Sequence, residues 1–393
     1  MNNYFEFQNA VKLLCGDLSL ERIPNELQHL GGKKPLVLSD AVLAKIGTLD
    51  TVIKAMAAEG CEPAHVFTDI PVDSSLKVVN DIAYIYRDHG CDSIVAIGGG
   101  SVIDTAKGVR LVLSQDTDDI LAIGGVENLS RGIFVPFIVV PTTAGTGSEC
   151  TGVAVIRNDK TNVKMEFLSP FVEPDVAVID PRMTMGLPPK ATASTGLDAL
   201  SHALEGCTCL QANPLSNAYA HAAIKMIAEN LTEATRNGSN KTARFNMAVA
   251  STMAGIAFSN SMVGAVHAIG HALGGVCHVP HAVAMTILLP HVMRYNLERC
   301  KESYGALLPL FIGAEAAAAI PAADRAQATI DAVVKLEQEL HDLCGLPLTL
   351  HEAGVSKADF EQVAAAGVND GALIVNPRAA DRAQVVEILN AAY

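Results

Sequence analysis

The 393-residue sequence contains no tryptophan, and aromatic residues make up only 5% of it. Its cores must therefore be built mainly from Ala, Val, Leu and Ile. Positive charge is in deficit: 28 Lys and Arg stand against 42 Asp and Glu, a formal net charge of −14. That balance argues against nucleic acid and against an anionic membrane as partners. The nine cysteines (Cys15, Cys61, Cys91, Cys150, Cys207, Cys209, Cys277, Cys300 and Cys344) include no CxxC pair, and Cys207 with Cys209 makes only a CxC. An odd, scattered set fits reduced thiols in a cytoplasmic protein better than a disulfide framework. The opening MNNYFEFQNA lacks a basic region followed by an apolar run, so no secretory signal is expected. Every apolar stretch is interrupted by Gly, His, Pro or charge before it is long enough to read as a membrane span. Internal repeats and low-complexity segments are also missing.

What is present is length and hydrophobicity enough for two domains, since half the residues are hydrophobic. Up to about residue 185 short β-rich runs recur: PLVLSD (35–40), AHVFTDI (64–70), SIVAIGGG (93–100), FIVVPTT (137–143), GVAVIRND (152–159) and VAVID (176–180). Helical stretches at 41–59 and 74–89 lie between the first of them, which predicts a mostly parallel sheet covered by helices. AVIRNDKTNVKMEF (154–167) reads instead as a hairpin appended to that sheet. After DPRMTMGLPP (180–189) the pattern becomes helical and Ala-rich, at 191–206, 214–231, 241–257, 262–275, 281–297, 322–343 and 379–392. The expected organisation is an α/β domain over 1–187 and an all-α domain over 188–393. The short Pro-containing linker predicts that the two pack together and share a ligand cleft. The segment YFEFQ (4–8) reads as a strand for pairing with a partner chain.

Two segments suit a phosphate. AIGGGSVIDTAKG (96–108) passes from strand to helix through Gly98, Gly99 and Gly100. Ser101 and the helix N-terminus then offer N–H donors and a positive dipole end to a pyrophosphate. The pattern is neither GxGxxG nor GxxxxGK[ST], and a turn needed only for chain geometry is the competing reading. Asp104 in the same segment is a further candidate cofactor residue. VPTTAGTGSE (140–149) gathers Thr142, Thr143, Thr146 and Ser148 after another strand, where ligands bind in open α/β sheets. Asp40 ends an early strand. It suits ribose hydroxyls, favouring NAD over NADP, and equally suits a helix cap for 41–47.

GLDALSHALEG (196–206) sets Asp198 and His202 four residues apart, on one face of a helix. This is either an ordinary helix pair or half of a metal site. Five of the twelve histidines (His267, His271, His278, His281 and His291) fall in SMVGAVHAIGHALGGVCHVPHAVAMTILLPHVMRYN (261–296). Imidazoles in so apolar a segment need partners. His267 and His271 form HxxxH, but Ala268 stands where a zinc hydrolase needs its glutamate. Asp198, His202, His267 and His281 together would make a carboxylate and three imidazoles, a set for Fe²⁺ or Zn²⁺.

GGGSVIDTAK, PTTAGTGSE, GLDALSHALE, the histidine-rich segment and the terminal NPRAADRAQVVEILNAAY resemble, in order and spacing, the iron-dependent (group III) alcohol dehydrogenase family. The resemblance spans essentially the whole chain. It implies the dehydroquinate synthase-like architecture: an N-terminal dinucleotide-binding domain, a C-terminal helical domain and a metal in the cleft. Carried over by position, the ligands are Asp198, His202, His267 and His281. Gly98, Gly99, Gly100 and Ser101 fall on the pyrophosphate loop, with Thr142, Thr143 and the loop around Thr146 beside the cofactor. His271 falls near nicotinamide and substrate. It is the candidate proton relay, with a packing role as the other reading.

The chain departs from the family's common pattern at Ala282, where many members have Gly, and at Met262, Val263 and Ala265. These positions bear on the substrate range. Phe258 and Cys277 are candidates either for the pocket lining or for the core. The implied activity is hydride transfer between NAD(H) and a short-chain alcohol, diol or aldehyde, in a homodimer or larger homo-oligomer. A zinc polyol dehydrogenase of the glycerol type and a non-catalytic metal- or nucleotide-binding protein are the alternatives. A lyase of the dehydroquinate synthase type is disfavoured, because residues 261–296 hold only Arg294 for an acidic phosphorylated substrate.

Overall fold

The computed structural model describes residues 4–123, 129–161 and 164–393. The chain forms two compact units. One is Asn9–Gly186, and the other joins Leu187–Tyr393 to the segment that ends at Gln8.

In the first unit, β1 (Lys12–Cys15), β2 (Pro35–Leu38), β3 (His65–Phe67), β4 (Ser93–Gly98), β5 (Phe137–Pro141) and β8 (Val176–Ile179) form one sheet in the order β1-β8-β5-β4-β2-β3. Every pair in it is parallel. Strands β2, β4, β5 and β8 are buried along their whole length, as runs such as FIVV require when helices cover both faces. Alternate residues (Val95 and Ile97, Ile138 and Val140, Val176 and Val178) enter one core with Leu20, Ile23, Leu27, Val52 and Met56.

The helices are α1 (Ile23–Leu30), α2 (Ala41–Ile46), α3 (Thr48–Ala58), α4 (Leu76–Asp88) and α5 (Gly100–Ser114). The single helix expected over 41–59 is two, because Gly47 adopts φ 84° between them. The expected hairpin exists as β6 (Val153–Arg157) against β7 (Lys164–Leu168), but it forms a separate two-stranded sheet. It packs on α5 through Ile156, whose Cδ1 lies 2.6 Å from where a Cβ on Gly108 would stand. After β3 the chain returns to place β4 on the other side of β2. The order therefore reverses at β2/β4, the crevice where open α/β sheets take ligands.

The second unit is helical: α6 (Pro189–Gly206), α7 (Pro214–Arg236), α8 (Lys241–Ser259), α9 (Ala265–Cys277), α10 (His281–Ile312), α11 (Ala314–Ala318), α12 (Arg325–Cys344), α13 (Phe360–Gly367) and α14 (Arg382–Ala391). Helix α6 is buried on nearly every side. Gly196 lets α7 approach it, since a Cβ there would meet Leu231 Cδ1 at 2.2 Å. Helix α9 begins at Ala265, later than the expected 262, because Met262 takes φ 68° in the preceding turn. Helix α10 runs past the expected 297 to Ile312, with Pro290 and Pro309 inside it. Residues 4–8 form no strand in the single chain. Phe7 instead stacks on Tyr219, and Asn260 exchanges two hydrogen bonds with the Gln8 backbone.

Candidate metal centre and cofactor loops

Three helices of the second unit bring four side chains together. Asp198 and His202 stand one turn apart on α6. His267 lies in the first turn of α9, and His281 is the first residue of α10. The tight connection between α9 and α10 depends on His278, which closes α9 in the left-handed region at φ 58°. Each of the four offers a ligand atom, and all these atoms lie within 4.8 Å of one another. His281 Nε2 is 3.5 Å and His267 Nε2 4.0 Å from Asp198 Oδ1. The rings of His202 and His267 are 4.5 Å apart, and Phe258 stacks on the other side of His202 at 4.4 Å.

Burial makes the cluster electrostatically demanding. Asp198 is 1% exposed, whereas the His281 side chain is 34% exposed and marks the open side. Neither Asp198 oxygen has a hydrogen-bond partner, nor has Nε2 of His267, although all three atoms are buried. A buried carboxylate left so is strongly unfavourable. Burial accordingly pushes Asp198 up to about 7 and His267 down to about 3. A divalent cation satisfies one carboxylate and three imidazoles together, so the residues present fit a metal.

His271 stands one turn beyond His267. Its ring is edge-on to His267 at 5.9 Å and stacked on His281 at 5.5 Å. Its Nδ1 lies 2.9 Å from Asp370 Oδ2. The other two histidines of the segment stand apart: His278 is exposed, and His291 sits within α10, where burial lowers it to about 4. Cys277 is half-buried at the last residue of α9, and Ala282 follows His281 in the first turn of α10.

In the α/β unit the cofactor candidates gather at the carboxyl ends of adjacent strands: Asp40 after β2, Gly98–Ser101 after β4, and Thr142–Ser148 after β5. The two loops interlock. A Cβ on Gly99 would stand 3.2 Å from Thr143, and one on Gly100 would stand 2.9 Å from Thr146. Thr142 N donates to Gly98 O at 3.0 Å. Behind them α5 presents its N-terminal N–H groups to that crevice. Ser101 Oγ accepts from Asp73 N.

Asp104 and Ser148 meet each other: Ser148 Oγ donates to Asp104 Oδ1 at 2.6 Å, and Val155 N donates to Oδ2 at 3.0 Å. Both oxygens are thus engaged within the unit, and Asp104 braces the loops. Asp40 caps α2, with Oδ1 accepting from Val42 N and Leu43 N, both at 2.9 Å. Oδ2 takes part in neither bond.

Comparison with known proteins settles the family. The model for iron-containing alcohol dehydrogenases matches residues 10–181, and that for the C-terminal part of the same family matches 192–393. The chain belongs to the iron-containing alcohol dehydrogenase family. A 1,3-propanediol dehydrogenase of Citrobacter freundii is 38% identical over 380 residues, 96% of either chain. The crystal structure of a 1,3-propanediol oxidoreductase superposes with a TM-score of 0.94 at 35% identity, covering 100% of both. A sulfoacetaldehyde reductase from Bifidobacterium kashiwanohense, solved with NAD⁺, gives 0.87 at 26% identity, covering 99% of this chain and 98% of that one. As a member, the chain is an oxidoreductase acting on alcohols or their carbonyl partners, with a divalent metal and a nicotinamide dinucleotide. Among the described residues no helix is long and apolar enough to cross a membrane.

This iron-containing alcohol dehydrogenase has three site residues that sequence reasoning passed over. Glu205 Oε2 lies 2.6 Å from His267 Nδ1. Its signal was available, because it follows Asp198 by two helical turns inside the quoted GLDALSHALEG. Asp370 holds His271 from far along the chain and had no local signal. Lys107, fully buried in GGGSVIDTAK, donates from Nζ to Ser148 Oγ and Thr151 Oγ1 at 2.9 Å and to Val153 O at 2.6 Å. A lysine at an apolar helix position was its signal.

Proposed function

We propose that the chain oxidises a short-chain alcohol or diol, or reduces the matching aldehyde, with NAD(H), and that Asp198, His202, His267 and His281 hold Fe²⁺ or, as the second choice, Zn²⁺. The observation that carries this is the convergence of four ligand atoms within 4.8 Å around buried, unpartnered carboxylate oxygens. Relatives named for propanediol and sulfoacetaldehyde support the substrate class. An ion held there would supply Lewis acidity to the substrate oxygen, and a bound nicotinamide would supply the hydride chemistry.

The protein's own residues do the rest. Gly98–Gly100 and the N-terminus of α5 would receive the pyrophosphate, with Ser101, Thr142, Thr143 and Thr146 around it, while Asp104 and Ser148 shape that loop from behind. Asp40 Oδ2 would be available to the ribose hydroxyls and would disfavour a 2′-phosphate, which would set NAD above NADP. Asp370 holds Nδ1 of His271, leaving Nε2 as the atom that takes and returns the substrate proton. We extend the proposal to a cytoplasmic homodimer or larger homo-oligomer. Its support is the exposure of Tyr4 and Phe5, and light scattering tests it.

The deciding experiment strips the protein with chelator, restores Fe²⁺ anaerobically or Zn²⁺, and follows NADH absorbance with propanal and 1,3-propanediol. Return of activity with Fe²⁺ supports the proposal with its first-choice metal, and return with Zn²⁺ alone selects the second and favours the glycerol-type polyol dehydrogenase as the activity. Bound metal without turnover on any alcohol of a broad panel favours a non-catalytic binding protein.

A further inference from the structure

We infer that Glu205 is a positioning residue of the metal centre: its carboxylate fixes the Nδ1–H tautomer of His267 and so turns the Nε2 lone pair into the cluster. The inference rests on the proposed ligand set and adds a member that touches no ion itself. A neutral imidazole carries one N–H, and the nitrogen without it is the one that ligates. His267 Nδ1 lies 2.6 Å from Glu205 Oε2, with both side chains buried. Val266 N already donates to this carboxylate, and the N–H groups of Gly264 and His267 face it, so the surroundings of Glu205 supply donors and set the oxygen beside Nδ1 as an acceptor, which places the proton on Nδ1. The far nitrogen, Nε2, then faces Asp198 Oδ1 at 4.0 Å with no hydrogen-bond partner of its own.

Three features keep Glu205 in this role. Its other oxygen accepts from Val266 N at 2.7 Å, and the N–H groups of Gly264 and His267 also face the carboxylate. It thereby anchors the N-terminus of α9, where the helix dipole favours an anion. It also arises from α6, the helix of Asp198 and His202, so one side chain ties together two of the ligand-bearing helices. Finally, its approach requires glycine at 264. A Cβ there would stand 3.0 Å from Glu205 Oε1 and 2.8 Å from Asn376 Oδ1, the atom that accepts from Ala265 N. Gly264→Ala therefore crowds the carboxylate and Asn376 without altering any ligand.

The test has two independent arms. Nitrogen-15 NMR of histidine-labelled apoprotein, with His267 assigned through His267→Gln, reads the tautomer directly. The Nδ1–H form is expected. The Nε2–H form, in which a protonated Glu205 donates to Nδ1, overturns the inference whether or not any variant folds. In the second arm, Co²⁺ affinity is measured by chelator competition in the wild type, Glu205→Gln and Gly264→Ala. Glutamine cannot accept from both Val266 N and His267 Nδ1, so both variants are expected to bind Co²⁺ about 10- to 100-fold more weakly. Wild-type affinity in Glu205→Gln overturns the inference. Failure of the ligand set itself looks different: His202→Ala would then bind Co²⁺ like the wild type, while the tautomer measurement still judges Glu205.

Discussion

Replacing Lys107 by methionine removes a buried ammonium without a large change in volume. In the α/β unit Nζ gives three hydrogen bonds, and Ser148 Oγ relays one of them to Asp104. Burial lowers the pKa of Lys107, and the Asp104 charge is the chief opposing influence. Each bond from a charged donor contributes about 1.5–3 kcal/mol, offset by the several kcal/mol needed to desolvate an ammonium. Deleting one partner of such a pair destabilises by about 3–5 kcal/mol, because the remaining charge is left without compensation. We expect Lys107→Met to lie at the lower end, near 3 kcal/mol, since Ser148 Oγ, Thr151 Oγ1 and Val153 O each lose a donor while Asp104 keeps its bonds from Ser148 Oγ and Val155 N.

Asp104→Asn in the Lys107→Met background removes the orphaned charge, so the double variant should be less destabilised than the two single losses summed, by about 0.5–3 kcal/mol. Urea unfolding supplies the energies, and amide exchange over 146–157 locates the loosening. NADH fluorescence should report weaker cofactor binding, because the same bonds hold the loop that packs on Gly99 and Gly100. A change under about 1 kcal/mol in Lys107→Met, together with unaltered NADH affinity, would refute the reasoning.

Further outcomes are expected at other positions. His202→Ala should lose bound metal and turnover together, as read by elemental analysis and rate on one preparation. His271→Ala should keep its metal and lower kcat, and an undiminished kcat would remove the relay. Asp40→Gly should raise the NADP-to-NAD ratio of kcat/KM while destabilising α2 by about 0.5 kcal/mol or less. Arg182 binds Glu21 and Asp180 through paired bonds of 2.7–2.9 Å. Arg182 holds Glu21 below the usual carboxylate range; at Asp180 burial pushes upward, but the bonds from Arg182 outweigh it. Both groups thus bind protons more readily when unfolded. Their stabilisation is present above the unfolded value of about 4 and is lost as pH falls through the lower folded values. Arg182→Leu should flatten the acid limb of a Tm-against-pH profile.

Much of this was legible in the sequence because it is local. Runs such as FIVV and VAVI announce buried strands, and Ala-rich periodicity announces helices. The spacing of Asp198 and His202 is a property of one helical turn. Four-residue β1 was missed because KLLC is too short for a pattern and lies at the sheet edge, paired with β8. The break at Gly47 was hidden inside an otherwise continuous helical periodicity. Asp370 was out of reach for a different reason: its contact with His271 joins residues 99 positions apart. Asp104 was placed with the cofactor from its neighbours in the motif, whereas its direction depends on Ser148 and Val155, which only tertiary packing supplies.

The four proposed ligands sit on α6, α9 and α10 of a single unit, with more than sixty residues of chain between the first pair and the second. Such a cluster does not exist in an unfolded chain, so metal binding there is coupled to folding. An ion that binds only the folded state stabilises it by mass action. On the proposed ligand set that gain enters through the helical unit, whereas the loops proposed for the dinucleotide lie in the α/β unit. Adding metal should therefore slow amide exchange in α6, α9 and α10, and adding NADH should slow it in the loops after β4 and β5.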